Sequence, residues 1–271
     1  MTKIAFVDID GTVLDYSKNM NKPSDNTLLA FKKFRENGNI LIIATSRSRL
    51  PLSLNKEDYD GFVLNNGQYI SVENKVLLDN IFSLEQINFL VELFKNHQAG
   101  GSFQGANGSW VSPSHKDLAI KHMVHYGFNI ADYDKFISPF NVEDIQASAI
   151  TATFEDAKLM KEVEDQLPSD WEIHAYYDPN DLRIDIHLPG HTKSSSCMKV
   201  VETLKLNHED SYAIGDGIND IEMLESVGCG IAMGNAEDKV KAIADVITDD
   251  LFNDGLAKAF DKLFELDLNI K

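Results

Sequence analysis

The first third of the chain advances in short apolar runs that stop abruptly at polar residues. Ile4-Ala5-Phe6-Val7 ends at Asp8, Ile40-Leu41-Ile42-Ile43-Ala44 at Thr45, and Phe62-Val63-Leu64 at Asn65. Unbroken runs of this length predict strands buried on both faces, as in a parallel sheet covered by helices. Between the first two runs, Leu28, Leu29, Phe31 and Phe34 recur at roughly helical spacing, and Gly38 follows as a C-cap. That is a β-α-β unit. The same texture returns after residue 190. Cys197, Val200, Val201 and Leu204 stand at i, i+3, i+4 and i+7 of a helix over 192–206. Apolar runs then follow at 212–214, 230–233 and 246–247, with helices through Met223 and Leu224 and over 256–266. Five or six buried strands alternating with helices predict a doubly wound α/β sheet, a Rossmann-like core.

The middle of the chain has another rhythm. Residues 182–188 alternate strictly between apolar and polar, and 149–154 and 171–177 do so less cleanly. Such alternation predicts an antiparallel sheet with one face solvated. Helices are expected over 83–97, where Ser83 and Gln86 can form a capping box, over 116–126 and over 156–167. The Gly- and Ser-rich stretch 102–112 reads as a loop or short hairpin. The expected organisation is a core of residues 1–81 and 190–271 interrupted by an α+β insert over 82–189.

Charge narrows the function. Twenty-five Lys and Arg against 43 Asp and Glu give the 271 residues a formal charge of −18. That excess argues against binding nucleic acid through its phosphates, and against adsorption to an anionic membrane surface. The four-residue apolar run before Asp8 is too short for a secretory signal, and no run approaches a membrane span. Cys197 and Cys229 fall on apolar stretches and read as small buried hydrophobes. A reduced, cytoplasmic location is expected.

In a doubly wound sheet, ligands gather at the carboxyl ends of the strands. Three of those ends are Asp8-Ile9-Asp10-Gly11-Thr12, Thr45-Ser46-Arg47 and Gly215-Asp216-Gly217-Ile218-Asn219-Asp220, and Lys193 opens the helix that re-enters the core. An EF-hand reading of Asp8 and Asp10 fails, because Gly11 and Asn19 occupy the fourth and twelfth positions where that loop needs Gly at the sixth and Glu at the twelfth. Four carboxylates at neighbouring strand ends repel unless they surround a hard divalent cation, for which Mg²⁺ is the natural candidate. With Lys193 and Thr45 added, the set reads as a phosphoryl site. Arg47 is open to two readings, a substrate contact or a partner for a core carboxylate. His122 and His125, three apart on a helix, lack a third metal ligand and read as a solvated face.

These motifs resemble, in order, the four that mark haloacid dehalogenase-like hydrolases of the Cof type: D-x-D-G-T at 8–12, A-T-x-R at 44–47, the lone Lys193, and G-D-G-x-N-D at 215–220. Asn66-Gly67, the run from Gly230 to Ala236 and Asp254-Gly255 are similar to the same proteins. The resemblance covers about 1–80 and 190–271. It implies a Mg²⁺-dependent phosphatase of small phosphorylated metabolites, such as sugar phosphates, with the insert as a large α/β cap. It also implies roles. Asp8 would be the nucleophile, forming an aspartyl-phosphate, and Asp10 the general acid and then base. Asp8, Asp216 and the Asp10 backbone carbonyl would ligate Mg²⁺, with Asp220 orienting them from behind. Thr45, Lys193, Asn219 and the amides of Ile9 and Ser46 would hold the phosphoryl oxygens. Ser46 and Ser194 stand where the family more often has Gly, which is expected to alter detail in the phosphate pocket and not the chemistry. A phosphomutase using the same intermediate and a non-catalytic phospho-ligand sensor are the alternative readings.

Overall fold

The computed structural model describes residues 1–126, 128–268 and 270. From the N-terminus the chain forms β1 (Ile4–Val7), α1 (Asp25–Glu36), β2 (Ile40–Ala44), β3 (Gly61–Leu64), β4 (Tyr69–Val72) and β5 (Lys75–Asp79). It continues through α2 (Leu84–Asn96), β6 (Gly100–Gly105), β7 (Gly108–Val111), α3 (Lys116–His125), α4 (Tyr133–Phe136), β8 (Ala149–Thr153), α5 (Ala157–Glu164), β9 (Glu172–Asp178) and β10 (Asp181–His187). Last come α6 (Lys193–Thr203), β11 (Ser211–Gly215), α7 (Ile221–Ser226), β12 (Cys229–Ala232), α8 (Asp238–Ile243), β13 (Val246–Ile247) and α9 (Gly255–Phe264). Two compact units result, one of Met1–Leu78 with His191–Lys271 and one of Asp79–Gly190. No helix among the described residues is long and apolar enough to cross a membrane.

The first unit is built on a sheet of order β13-β12-β11-β1-β2-β3-β4-β5. It is parallel from β13 to β3, and β4 runs antiparallel to β3. β1 has β2 on one side and β11 on the other, so the chain winds outward from β1 and then restarts beside it. That is the topological switch point, where a crevice opens past the strand ends. β1 and β3 are buried throughout, as their unbroken apolar runs require. Helices α1 and α9 cover the sheet through aromatic contacts. Phe31 and Phe34 meet Phe260 edge to face at 5.2 and 5.1 Å, which adds about 0.5–1.5 kcal/mol per pair beyond burial.

Two features of this sheet depart from the pattern. β13 is no buried strand but a two-residue edge, with Ile247 55 % exposed. The β4–β5 hairpin was not anticipated. Its turn places Glu73 (φ 48°) and Asn74 (φ 62°) in left-handed conformations, so it closes without the glycine that usually signals such a turn.

The second unit is an antiparallel sheet of order β7-β6-β8-β10-β9. The expected capping box is present at Ser83 and Gln86, and residues 102–112 form a hairpin. One face packs Phe103, Ile150, Ala152, Ile184 and Ile186 against Leu90 and Phe94 of α2 and Met160 and Val163 of α5. The other face is not simply solvated. α3 lies so close to β6 that a Cβ on Gly100 would stand 2.6 Å from the Ala119 nitrogen, and Thr151, Thr153 and His187 are buried. His122 is accordingly covered, contrary to the solvated face expected for it. Its ring packs on Tyr126 at 4.7 Å, beside Asp181.

Burial pushes the His122 imidazole down to about 4, with Asp185 opposing and Arg183 reinforcing the shift. His187 is lowered in the same way, first by burial, and its Nδ1 makes no hydrogen bond within the protein. Both rings are therefore neutral when folded, whereas the unfolded chain takes up protons near pH 6.5. Their contribution is whole above about pH 6.5 and is lost as pH falls toward 4, at a cost of up to roughly 3 kcal/mol for each. We expect the melting temperature to drop over that window and His187→Gln to shallow the slope. Parallel pH profiles for the two proteins would refute the assignment.

Candidate active site

All nine residues singled out from the sequence belong to the first unit. The loop after β1 is wound tightly, because the Ile9 carbonyl accepts from the amides of Thr12, Val13 and Leu14 at 3.2, 2.8 and 2.9 Å. Gly11 has φ +85°, and a Cβ there would lie 1.9 Å from Asp216 Oδ2. Only glycine lets this loop close against the one after β11. Thr12 Oγ1 donates to Asp216 Oδ1 at 3.0 Å, and Asn235 Nδ2 donates to the Gly11 carbonyl at 2.7 Å. Thr12 thus ties the β1 loop to the loop after β11, and Asn235 ties it to the loop after β12. The sequence carried them only inside motifs, without a role.

Asp220 organises the second loop from beneath. It is 1 % exposed, and its Oδ2 accepts from the amides of Asp216 and Gly217, both at 3.0 Å. Its Oδ1 takes Lys193 Nζ at 2.5 Å, and the same ammonium reaches Asp8 Oδ1 at 2.6 Å. Lys193 is the first residue of α6, where Thr192 and Ser195 close a capping box. A cation at that end opposes the helix dipole, and the two carboxylates offset the penalty. The turn at Asn65–Gly67 buttresses this helix start. Ser196 Oγ donates to the Gly67 carbonyl at 2.7 Å and Gln68 Nε2 to the His191 carbonyl at 2.8 Å.

The structure thus gathers Asp8, Asp216, Asp220 and Lys193 into one buried cluster, with a carboxylate oxygen from each acid within 4.8 Å of the others. Thr45 follows β2, fully buried, and accepts the Arg47 amide on its Oγ1 at 3.2 Å. Ser46 and Asn219 are exposed on neighbouring loops, and no hydrogen bond joins either to the cluster among the described residues. Ile9 is buried in the apolar core. Asp10 stands apart from the cluster, and Arg47 pairs with it through two hydrogen bonds of 2.7 Å, in line with the carboxylate-partner reading of that arginine.

Burial works against the charge of the acids in this cluster. Burial raises Asp8 well above the usual carboxylate range, with Lys193 opposing and Asp220 adding to the rise. Asp216 is pushed up to about 7, by burial first and then by Asp220, against the Thr12 hydrogen bond. Burial disfavours the Lys193 ammonium, yet Asp220 and Asp8 together hold it above its ordinary value. Ionising all three carboxylates against one ammonium would leave two negative charges, and the upward shifts of Asp8 and Asp216 show burial and Asp220 resisting that ionisation. The all-oxygen donor set fits a divalent cation of the hard class.

Comparison with known proteins agrees with this class of site. Residues 5–260 match the model of the haloacid dehalogenase-like hydrolases. The chain is 27 % identical over 263 residues to the 5-amino-6-(5-phospho-D-ribitylamino)uracil phosphatase YcsE of Bacillus subtilis, covering 95 % of this chain and 94 % of that protein. It is 27 % identical over 285 residues to the pyridoxal phosphate phosphatase YbhA of Escherichia coli, covering 95 % and 97 %. The solved structure of the subclass IIB sugar phosphatase BT4131 superposes with a TM-score of 0.74 at 25 % identity, covering 98 % of this chain and all of that one. The chain belongs to the haloacid dehalogenase-like hydrolases, and within them to the Cof-type phosphatases.

Proposed function

We propose that this enzyme is a Mg²⁺-dependent phosphatase of small phosphorylated metabolites, sugar phosphates or similar esters, acting through an aspartyl-phosphate on Asp8. The observation that carries the reading is the buried Asp8–Lys193–Asp220 bridge beside the half-buried Asp216, three carboxylates gathered around one ammonium. We assign the unit containing it as the catalytic core and the unit Asp79–Gly190 as its cap. The free thiols of Cys197 and Cys229 support a cytoplasmic location.

Asp8 attacks phosphorus with one carboxylate oxygen, and the bond from phosphorus to the ester oxygen breaks. The departing oxygen takes a proton from the Asp10 carboxyl and leaves as an alcohol. Water then attacks the acyl phosphate, Asp10 accepts its proton, and the bond from phosphorus to Asp8 breaks to release phosphate. Lys193 keeps Asp8 oriented and contributes positive charge against the phosphoryl oxygens, with Thr45, Asn219 and the amides of Ile9 and Ser46 as the hydrogen-bond donors. Mg²⁺ bound by the Asp8 and Asp216 carboxylates and the Asp10 carbonyl would neutralise the charge that builds on the transferred group. Asp220 holds the Asp216 loop and Lys193 in place.

Phosphate release across a panel of phosphorylated metabolites tests this. Hydrolysis should require Mg²⁺ and stop on chelation. Undiminished rates in EDTA, or no hydrolysis of any ester at high enzyme concentration, would sink the proposal.

A further inference from the structure

Asp10 is the exposed member of the acidic set. Its side chain is 47 % accessible, and the tight loop after β1 fixes its backbone but not its rotamer. A carboxylate so placed loses orientational freedom only if something outside the loop holds it. Arg47 does so from the end of β2. Its Nε donates to Asp10 Oδ2 and its Nη2 to Oδ1, both at 2.7 Å, so the planar fork meets the carboxylate at two points. The guanidinium in turn lies 5.4 Å from the centre of the Tyr16 ring, and the Arg47 amide is tied to Thr45. With Nε and Nη2 engaged, the guanidinium is oriented toward the carboxylate.

We propose that Arg47 is a positioning residue that sets the Asp10 carboxyl for both of its proton transfers. The proposal rests on the phosphatase reading above. Both Asp10 oxygens accept from Arg47, which fixes the carboxylate plane from which a proton of water is taken up. A protonated Asp10 keeps one oxygen on Arg47 and turns its O–H toward the departing ester oxygen. Lysine, a single point of charge, cannot fix the carboxylate plane in this way.

The test separates leaving groups that need a proton from one that does not. Wild type, Arg47→Ala and Arg47→Lys are compared with Mg²⁺ present on 2,4-dinitrophenyl phosphate and on the alkyl phosphate of the metabolite panel that wild type cleaves fastest. In single turnover, Arg47→Ala should slow the alkyl ester by about 100-fold and the dinitrophenyl ester by no more than about 3-fold. With dinitrophenyl phosphate in excess, dinitrophenol release should show a burst of one equivalent per site, because the second transfer, with Asp10 as base, is impaired. Arg47→Lys should recover roughly 10-fold of the alkyl rate through its one remaining contact. Equal losses on both esters, a change confined to KM, or no loss at all would overturn the positioning role, and equal melting temperatures exclude misfolding as the source of a selective loss. Failure of the wild type on both esters would instead overturn the phosphatase reading itself.

Discussion

Replacing Asp8 with Asn should lower turnover by at least about 10⁴-fold while leaving the fold no less stable. The amide keeps the shape of the side chain but has no carboxylate oxygen to attack phosphorus, so no covalent intermediate forms. The stability side follows from the charge balance. Burial raises Asp8, which means that the folded state resists its ionisation and the unfolded state does not. A group raised in this way supports the fold at low pH and costs stability as pH rises past its unfolded value. Removing the charge at pH 8 without Mg²⁺ should therefore leave the melting temperature unchanged or higher, while Lys193 keeps its bond to Asp220. Single-turnover phosphate release and thermal melts measure the two sides. Hydrolysis within about 10-fold of wild type would remove Asp8 from the nucleophile role.

Lys193→Met carries the largest expected cost to stability. The ammonium is 4 % exposed and bridges two buried carboxylates, so its loss leaves Asp8 without that partner and Asp220 with only its two backbone donors. Breaking a buried pair from one side costs about 3–5 kcal/mol, which in a chain of this size lowers the melting temperature by roughly 10 °C. Uncompensated carboxylates take up protons more readily, so the deficit should shrink from pH 8 to pH 5 and shrink again when Mg²⁺ is added. Turnover should fall about 10²–10³-fold through the lost charge on the phosphoryl oxygens. A deficit that is the same at every pH and Mg²⁺ concentration would show that Lys193 acts through packing alone.

Buried parallel strands must be apolar on both faces, so 4–7, 40–44 and 62–64 were legible as unbroken runs. β13 resembled them, but two residues carry too little pattern to separate an edge from an interior strand. The β4–β5 hairpin escaped because Glu73 and Asn74 adopt left-handed turns without glycine. The face under α3 escaped because the close approach to Gly100 is a contact between elements distant in sequence, and it buries polar residues whose alternation reads as solvent exposure.

For the candidate site, local chemistry was enough to single out the residues. An Asp or Thr that ends a buried strand is costly unless it meets a partner, so Asp8, Thr45 and Asp216 stand out against their neighbours, and the motif spacings named the family. What each side chain holds was a matter of tertiary structure. Lys193 lies 185 residues from Asp8 and 27 from Asp220, and only the return of the chain beside β1 sets it between them. The same folding left Asp10 outside the buried cluster and gave it to Arg47, a choice that rotamers and distances make and that no local pattern encodes. Sequence determined which groups stand at the strand ends, because burial and turn chemistry act over a few residues. The pairing of those groups was decided by the tertiary structure alone, because charges interact across space at a few ångströms, whatever their separation along the chain.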